Sequence, residues 1–294
     1  MVDDKTKRLS VYLPEKVKID LEAMANDTGL SMTQLIVIAT HGLLSNYKSH
    51  GGQIFADLVA TTKRSDTLTD KIAASRLEDT RMQDYYGARA DEYESIYRRN
   101  DPNYQQELSL LRSTLQSLTK DRSVLEIACG TGYWSQFIAE SAARLVGVDI
   151  RSEVIDIAKA KNLPHGKVTF LEGDAYNLDS IQGSFDFGLA NFWFSHIPKN
   201  KIEHFLTGFH RKLLPGANVF IADNVYVPGR GGELIIKEQS EDTYKLRELA
   251  DGSKHEILKN YYDYNELYEM FKPFSTDLKL FVGSSFWYVT YTVV

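Results

Sequence analysis

The feature that most narrows what this chain can fold into is a regular alternation between residues 123 and 225. Short apolar runs (SVLEIA, ARLVGVDI, KVTFLEGD, FDFGLANF and ANVFIADNV) alternate with stretches of helical apolar spacing such as YWSQFIAESA and SEVIDIAKAK. Strands joined through helices pair in parallel, because each helix carries the chain back across one face of the sheet. The C-terminal stretch DLKLFVGSSFWYVTYTVV departs from this rule. Only Gly283-Ser284-Ser285 separates its two β-rich runs, and so short a link closes an antiparallel hairpin. The expected fold class is therefore α/β, a mostly parallel sheet with helices on both faces and an antiparallel hairpin at the end.

Chemistry enters at VLEIACGTG, residues 124–132. A strand runs into a loop where Gly130 and Gly132, lacking Cβ atoms, let backbone approach a ligand closely. The helix that follows, from about Trp134, offers free amides to a carboxylate. Glu126 belongs at the strand's carboxyl end, where open α/β sheets bind ligands. Asp149 ends the next strand, in GVDI, and Asp174 ends the third, in LEGDAYNL. A dinucleotide site would normally read G-x-G-x-x-G, whereas this loop reads G-T-G-Y-W.

This ordered set resembles motif I and the strand-end acids of class I S-adenosylmethionine-dependent methyltransferases, over about residues 82–294. The resemblance implies a Rossmann-like sheet and S-adenosylmethionine as cofactor. It implies that Glu126 helps hold the methionine ammonium, Asp149 the ribose hydroxyls and Asp174 the adenine amino group. Ala128 stands where the family often has Gly. Cys129, Ile150, Ala175 and Asn191 complete the implied cofactor contacts with Gly130, Gly132 and Trp134. The upstream segment MQDYYGARADEYESIY resembles the lead-in helix of small-molecule methyltransferases, with Tyr86 the first cofactor candidate and Tyr85, Arg89 and Tyr93 behind it.

After the fourth strand come Asn191-Phe192-Trp193-Phe194-Ser195-His196. Phe192 and Trp193 are expected to line the acceptor and exclude water. His196 suits a general base near neutral pH, or a ring that caps a helix or bonds a backbone group. DNA amino-methyltransferases carry two prolines in the tetrad occupied here by Asn191-Phe192-Trp193-Phe194. Both are absent, and the region is acidic where DNA requires positive charge. The net charge is −6, but residues 1–64 hold eight Lys/Arg against seven Asp/Glu, so the acidity lies in the remainder. A small-molecule acceptor is the expectation.

The N-terminal KRLSVYLP alternates Leu9, Val11 and Leu13 with Arg8, Ser10 and Tyr12, a half-buried strand. Helical spacing follows in EKVKIDLEAMANDT, then Gly29 as a stop, Ser31 as an N-cap, and Leu35, Ile36, Ile38, Ala39 and Leu43 on a second helix. This β-α-α pattern resembles the ribbon-helix-helix fold of Arc-type repressors. The resemblance implies a homodimer that presents Arg8, Ser10 and Tyr12 to DNA bases and the amides of Ser31–Thr33 to a phosphate. Expected boundaries are 1–64 for this module, 65–81 for a linker and 82–294 for the methyltransferase. A DNA-binding regulator whose second domain only senses cofactor is the alternative, disfavoured by the intact Glu126, Gly130, Gly132, Asp149 and Asp174 set. A charged start without an apolar signal core, one cysteine and no long apolar run suggest a cytoplasmic protein with no membrane span. No metal site is expected.

Overall fold

The computed structural model describes Leu13 and residues 15–50, 90–164, 166–238, 240–249 and 252–294. Packing divides the chain into two compact units, Met1–Ala74 and Ser75–Val294. The expected N-terminal strand with Arg8, Ser10 and Tyr12, the linker at 65–81, and Tyr85, Tyr86 and Arg89 lie outside the described residues, as does the side chain of Tyr93.

In the first unit, helix α1 (Glu15–Thr28) turns into helix α2 (Met32–His50). Gly29 makes the turn at φ 70°, and its amide donates to the Ala25 carbonyl at 3.0 Å, the left-handed C-terminal stop that a residue without Cβ adopts freely. Ser31 and Gln34 form a reciprocal cap. The Ser31 amide donates to Gln34 Oε1 at 2.8 Å and the Gln34 amide donates to Ser31 Oγ at 3.3 Å, satisfying two of the amides a helix start leaves open. Both helices leave large apolar side chains in solvent: Val17, Ile19 and Met24 on α1, and Ile36, Val37, Ile38, Leu43 and Leu44 on α2.

The second unit is built on a seven-stranded sheet in the order β3-β2-β1-β4-β5-β10-β9. Its strands are β1 (Ser123–Ile127), β2 (Arg144–Asp149), β3 (Val168–Glu172), β4 (Phe185–Asn191), β5 (Leu213–Asn224), β9 (Lys279–Val282) and β10 (Phe286–Thr292). The first five run parallel, and β10 pairs antiparallel with both β5 and β9. The parallel alternation and the closing hairpin expected from the sequence are both present. Helices α3 (Pro102–Leu118) and α4 (Tyr133–Ser141) pack on one face with Val124, Leu145, Phe187, Leu189 and Phe220. Helices α6 (Ile202–His210) and α7 (Tyr264–Phe271) pack on the other with Leu125, Ile127, Val146, Val219 and Ile221. Between them in sequence, α5 (Ser152–Ala160) follows β2. Adjacent β1 residues thus serve opposite cores, which is why the strand reads as a continuous apolar run.

Two parts of this unit were not read from the sequence. One is α3, started by Asp101, whose side chain accepts from the Tyr104 amide, with Pro102 in the first turn. The other is a separate antiparallel sheet, β6 (Glu233–Ile236), β7 (Thr243–Glu248) and β8 (Lys254–Leu258), inserted between β5 and α7. The terminal hairpin is tied to α3 by Glu107, whose carboxylate accepts from the backbone of Ser284, Ser285 and Phe286 and from the Ser284 hydroxyl. Burial opposes ionisation of Glu107, but these four bonds outweigh it and hold the carboxyl below its ordinary range. No described helix is long and apolar enough to cross a membrane.

Gly188, in the middle of β4, shows how tightly the sheet seats α6. A Cβ there would lie 2.6 Å from Phe209 Cζ and 2.9 Å from a Leu213 methyl. Gly188→Ala is expected to destabilise the unit by about 1–3 kcal/mol through overpacking, measured as a lower denaturant midpoint at unchanged slope.

Candidate functional site

The strand order reverses between β1 and β4, so the connections leaving their carboxyl ends diverge and open a crevice there. The loop after β1 enters it. Gly130, at φ 53°, would place a Cβ in open space, with nothing within 4 Å. Gly132, at φ 73°, has a different reason to be glycine: its Cβ would sit 3.1 Å from Ala158 Cβ and 3.3 Å from Phe170. Of the two expected ligand-approach glycines, Gly130 faces free volume, while Gly132 lets α4 close on α5 and β3. Helix α4 starts at Gly132 with no side-chain cap, which leaves its first amides free of a side-chain acceptor.

The expected strand-end acids converge on this loop. Asp149 is bound by the Gly130 amide at 2.9 Å and the Arg151 amide at 3.1 Å. Its burial raises the carboxyl above the usual range despite those bonds. Ile150, next in the chain, is 41% exposed, an apolar face at the crevice. Asp174 is exposed, with one oxygen accepting from the Tyr176 amide at 2.8 Å, and Ala175 beside it is half-buried. Glu126 is buried and accepts from Ser135 Oγ at 2.5 Å. Burial pushes its pKa to about 8, the Ser135 bond opposing and the Asp149 charge adding.

The remaining candidates divide between wall and core. Cys129 packs with Ile155, Ala158 and Phe170, its thiol turned inward. Trp134 stacks on Phe192 at 5.5 Å and donates from Nε1 to the Tyr97 hydroxyl at 3.1 Å, so its indole is a buried support. Asn191 ends β4 with both amide atoms buried and lacking a hydrogen-bond partner. A buried amide without partners is costly. Three described non-glycine residues have positive φ, and two of them border this crevice: Ala128 at 51° and Phe192 at 57°, the kind of local strain that collects at functional sites. Trp193 is half-buried against Tyr176 and Phe205.

His196 is buried, with Nδ1 2.6 Å from the Leu258 carbonyl. Burial, then the Lys259 charge, pulls its pKa to about 3. A buried ring whose Nδ1 lies against a backbone carbonyl fits the backbone-bonding alternative. Its neighbours form a network that sequence reading missed. Lys259 Nζ lies 2.9 Å from Asp223 Oδ1 and donates to Ser195 Oγ at 2.6 Å, while the Ser195 amide donates to Asp223 Oδ2 at 2.8 Å. Asp223 is fully buried and Lys259 nearly so. This ion pair joins the end of β8 to the carboxyl ends of β4 and β5. Asp223 and Lys259 stand 36 residues apart in the chain, with no local pattern to announce the pair.

Upstream, the turn at Ala90–Arg98 is fastened to the loop. Glu94 accepts from Thr131 Oγ1 at 2.8 Å and pairs with Lys161 at 2.6 Å, and Tyr97 stacks on Tyr133 at 3.7 Å. Glu94 and Tyr97 thus join the lead-in segment to the loop, positions the sequence reading had not singled out.

Sheet order, closing hairpin and glycine loop together give the second unit the fold of a class I S-adenosylmethionine-dependent methyltransferase domain. Residues 124–216 match a family described as a methyltransferase domain. The chain is 37% identical to a demethylmenaquinone methyltransferase of Lactococcus lactis over 79 residues, covering 24% of this chain and 31% of that one. It is 25% identical to an uncharacterized methyltransferase of Alkaliphilus oremlandii over 205 residues, 67% of this chain and 86% of that one. The chain spans about a third to a half of the length of several curated methyltransferases it matches, the Lactococcus lactis protein included. Among solved structures, a complex described as DhpI-SAM-HEP aligns at TM-score 0.60 and 25% identity, covering 72% of this chain and 96% of that one. The PH0226 protein of Pyrococcus horikoshii aligns at TM-score 0.54 and 20% identity, covering 69% and 99%, a likeness of fold. The cofactor of such a domain is S-adenosylmethionine.

Glu126 provides a pH test of this geometry. Its pKa is raised by burial, so the folded form holds a proton that the unfolded form loses near pH 4.5. The associated stability is present below that pH and is lost as pH rises toward about 8. Glu126→Gln, which keeps the neutral shape, is expected to gain on the wild type across this window by up to about 1.4 kcal/mol per pH unit. Denaturant unfolding at several pH values between 5 and 9 measures the difference.

Proposed function

We propose that the second unit transfers the methyl group of S-adenosylmethionine to a small-molecule acceptor. The observation that carries this reading is the crevice at β1 and β4. Open volume stands over Gly130, uncapped amides begin α4, Ile150 is exposed, and Asn191 holds buried amide atoms in need of partners. These groups fit a ligand with a carboxylate, polar hydroxyls and a flat aromatic base. In this reading the amides at the start of α4 hold the carboxylate, Glu126 helps hold the ammonium, and Asp149 accepts from the ribose hydroxyls. Asp174 and Ala175 border the adenine and Ile150 covers its face, with Tyr86 of the lead-in segment as a further cofactor contact. When bound, the cofactor supplies an electrophilic methyl group on a sulfonium. Phe192 and Trp193 exclude water from the acceptor side and hold the partners in line, which is much of the catalysis such a displacement requires. His196 serves here as a neutral, buried positioning residue.

For the first unit the proposed arrangement is a ribbon-helix-helix homodimer that can tether the chain to DNA. The exposed apolar residues on both of its helices support dimerisation, since so small a unit buries little core alone. For the phosphate clamp, the Ser31 amide is engaged by its own Gln34, which leaves the Thr33 end of that turn as the better donor.

Calorimetric titration with S-adenosylhomocysteine is expected to show micromolar binding, weakened roughly tenfold or more by Asp149→Ala through lost hydrogen bonds to a charged group. Absence of heat with the wild type would end the methyltransferase reading. In sedimentation, the full chain is expected at about twice its 33.4 kDa mass, and Ile38→Lys should shift it toward monomer. A wild-type monomer at micromolar concentration would exclude the dimer.

A further inference from the structure

The inserted sheet turns a cationic face toward the acceptor side of the crevice. In the β7–β8 ladder Lys245 lies opposite Ile257 and Arg247 opposite His255, so these residues share one face, and Lys259 continues it two positions beyond Ile257. Lys259 reaches Asp223 and Ser195 at the carboxyl ends of β5 and β4, which fixes where this face points. Lys245 is 1% exposed. Its ammonium donates to the Gly232 carbonyl at 2.9 Å and lies 5.1 Å and 5.7 Å from the ring centres of Tyr226 and Tyr261. None of those partners carries a negative charge.

Arg247 is the less satisfied group. Its side chain makes no hydrogen bond or ion pair among the described residues, and its Nε is buried without a partner. The guanidinium lies over Gly231, where a Cβ would fall 3.0 Å from Cζ and closer still to a terminal nitrogen. The absence of a side chain at Gly231 therefore makes room for Arg247. Arg247 is close enough to Lys245, Lys259, His196 and Tyr261 to act on the ionisation of all four. Three cations thus meet one described carboxylate, Asp223, which Lys259 already neutralises. In a chain of net charge −6, two positive charges remain on a largely buried face. Unpaired charge in such a place is unfavourable unless a ligand completes it. A planar guanidinium can meet a small oxyanion through two parallel bonds, and a nearby ammonium adds a point charge.

We propose that the methyl acceptor carries a carboxylate or phosphate group, and that Arg247, assisted by Lys245, binds that oxyanion. Tyr226 and Tyr261 flank it, and the Asp223–Lys259 pair sets the distance between the bound anion and the carboxyl ends of β4 and β5. This inference rests on the methyltransferase reading and names the substrate class of the same site.

The test titrates the full chain first with S-adenosylhomocysteine and then, at saturation and fixed ionic strength, with sodium phosphate and separately with sodium acetate. The wild type is expected to bind at least one of the two anions saturably, and the stronger arm identifies the headgroup. Arg247→Gln should weaken that binding roughly tenfold or more, with Arg247→Lys intermediate because it restores charge without the planar fork. Near-UV circular dichroism and the thermal midpoint of each variant establish that the site still folds, and Lys245→Met gives a second, independent loss. Normal S-adenosylhomocysteine binding with no saturable anion binding, or equal anion binding by wild type and a folded Arg247→Gln, would overturn the inference alone. No S-adenosylhomocysteine binding would overturn the methyltransferase reading and the inference with it.

Discussion

The reversal of strand order at β1 is the constraint on which the rest of the second unit depends. β2 and β3 lie to one side of β1 and β4 and β5 to the other, so the loops after β1 and β4 part and leave a crevice at their carboxyl ends. Glu126, Asp149, Asp174 and Asn191 sit on that edge because the strands are parallel and carry their last residues to the same side. The strain at Ala128 and Phe192 and the partnerless amide of Asn191 lie on the same edge. Each is unfavourable taken alone. They persist because the sheet below, buried on both faces, holds their backbones in place.

The acceptor side depends on a second interaction of another kind. The Asp223–Lys259 pair is buried together with Ser195 and His196, and Asn260 beside it bonds Ile197, Asp242 and Thr243. A buried ion pair contributes little net stability relative to an apolar replacement, yet removing one partner leaves a stranded charge. Its evident effect here is geometric: it ties the inserted sheet to the ends of β4 and β5 and orients the Lys245–Arg247 face. Burial, with the Lys259 charge added, holds the His196 imidazole well below its usual range.

Much of this was legible in the chain. The strand–helix alternation, the closing hairpin, the turn at Gly29 and the cap at Ser31 are local patterns of period, length and turn chemistry, and they fold as they read. The positions of Glu126, Gly130, Asp149 and Asp174 at strand ends follow from the same pattern, since a residue's place on a strand decides which edge it reaches. The inserted sheet was harder to see: β6, β7 and β8 are short and rich in charge, and they are held in place by pairing with one another. The positions of Trp134 and Phe192 beside the loop were legible, but that their rings stack on each other was not, because sequence order does not reveal which way an aromatic ring turns.

What the sequence determined by itself was the class of sheet, the edge where chemistry gathers and the residue types that meet a cofactor there, because these follow from interactions among near neighbours. What tertiary structure alone decided was which glycine faces open space and which faces a helix, that His196 is buried against the Leu258 carbonyl, and that Arg247 has no counter-charge among the described residues. Those outcomes depend on burial and on the field of groups far away in the chain. Burial and distant charge are properties of the packed molecule, and no local pattern encodes them.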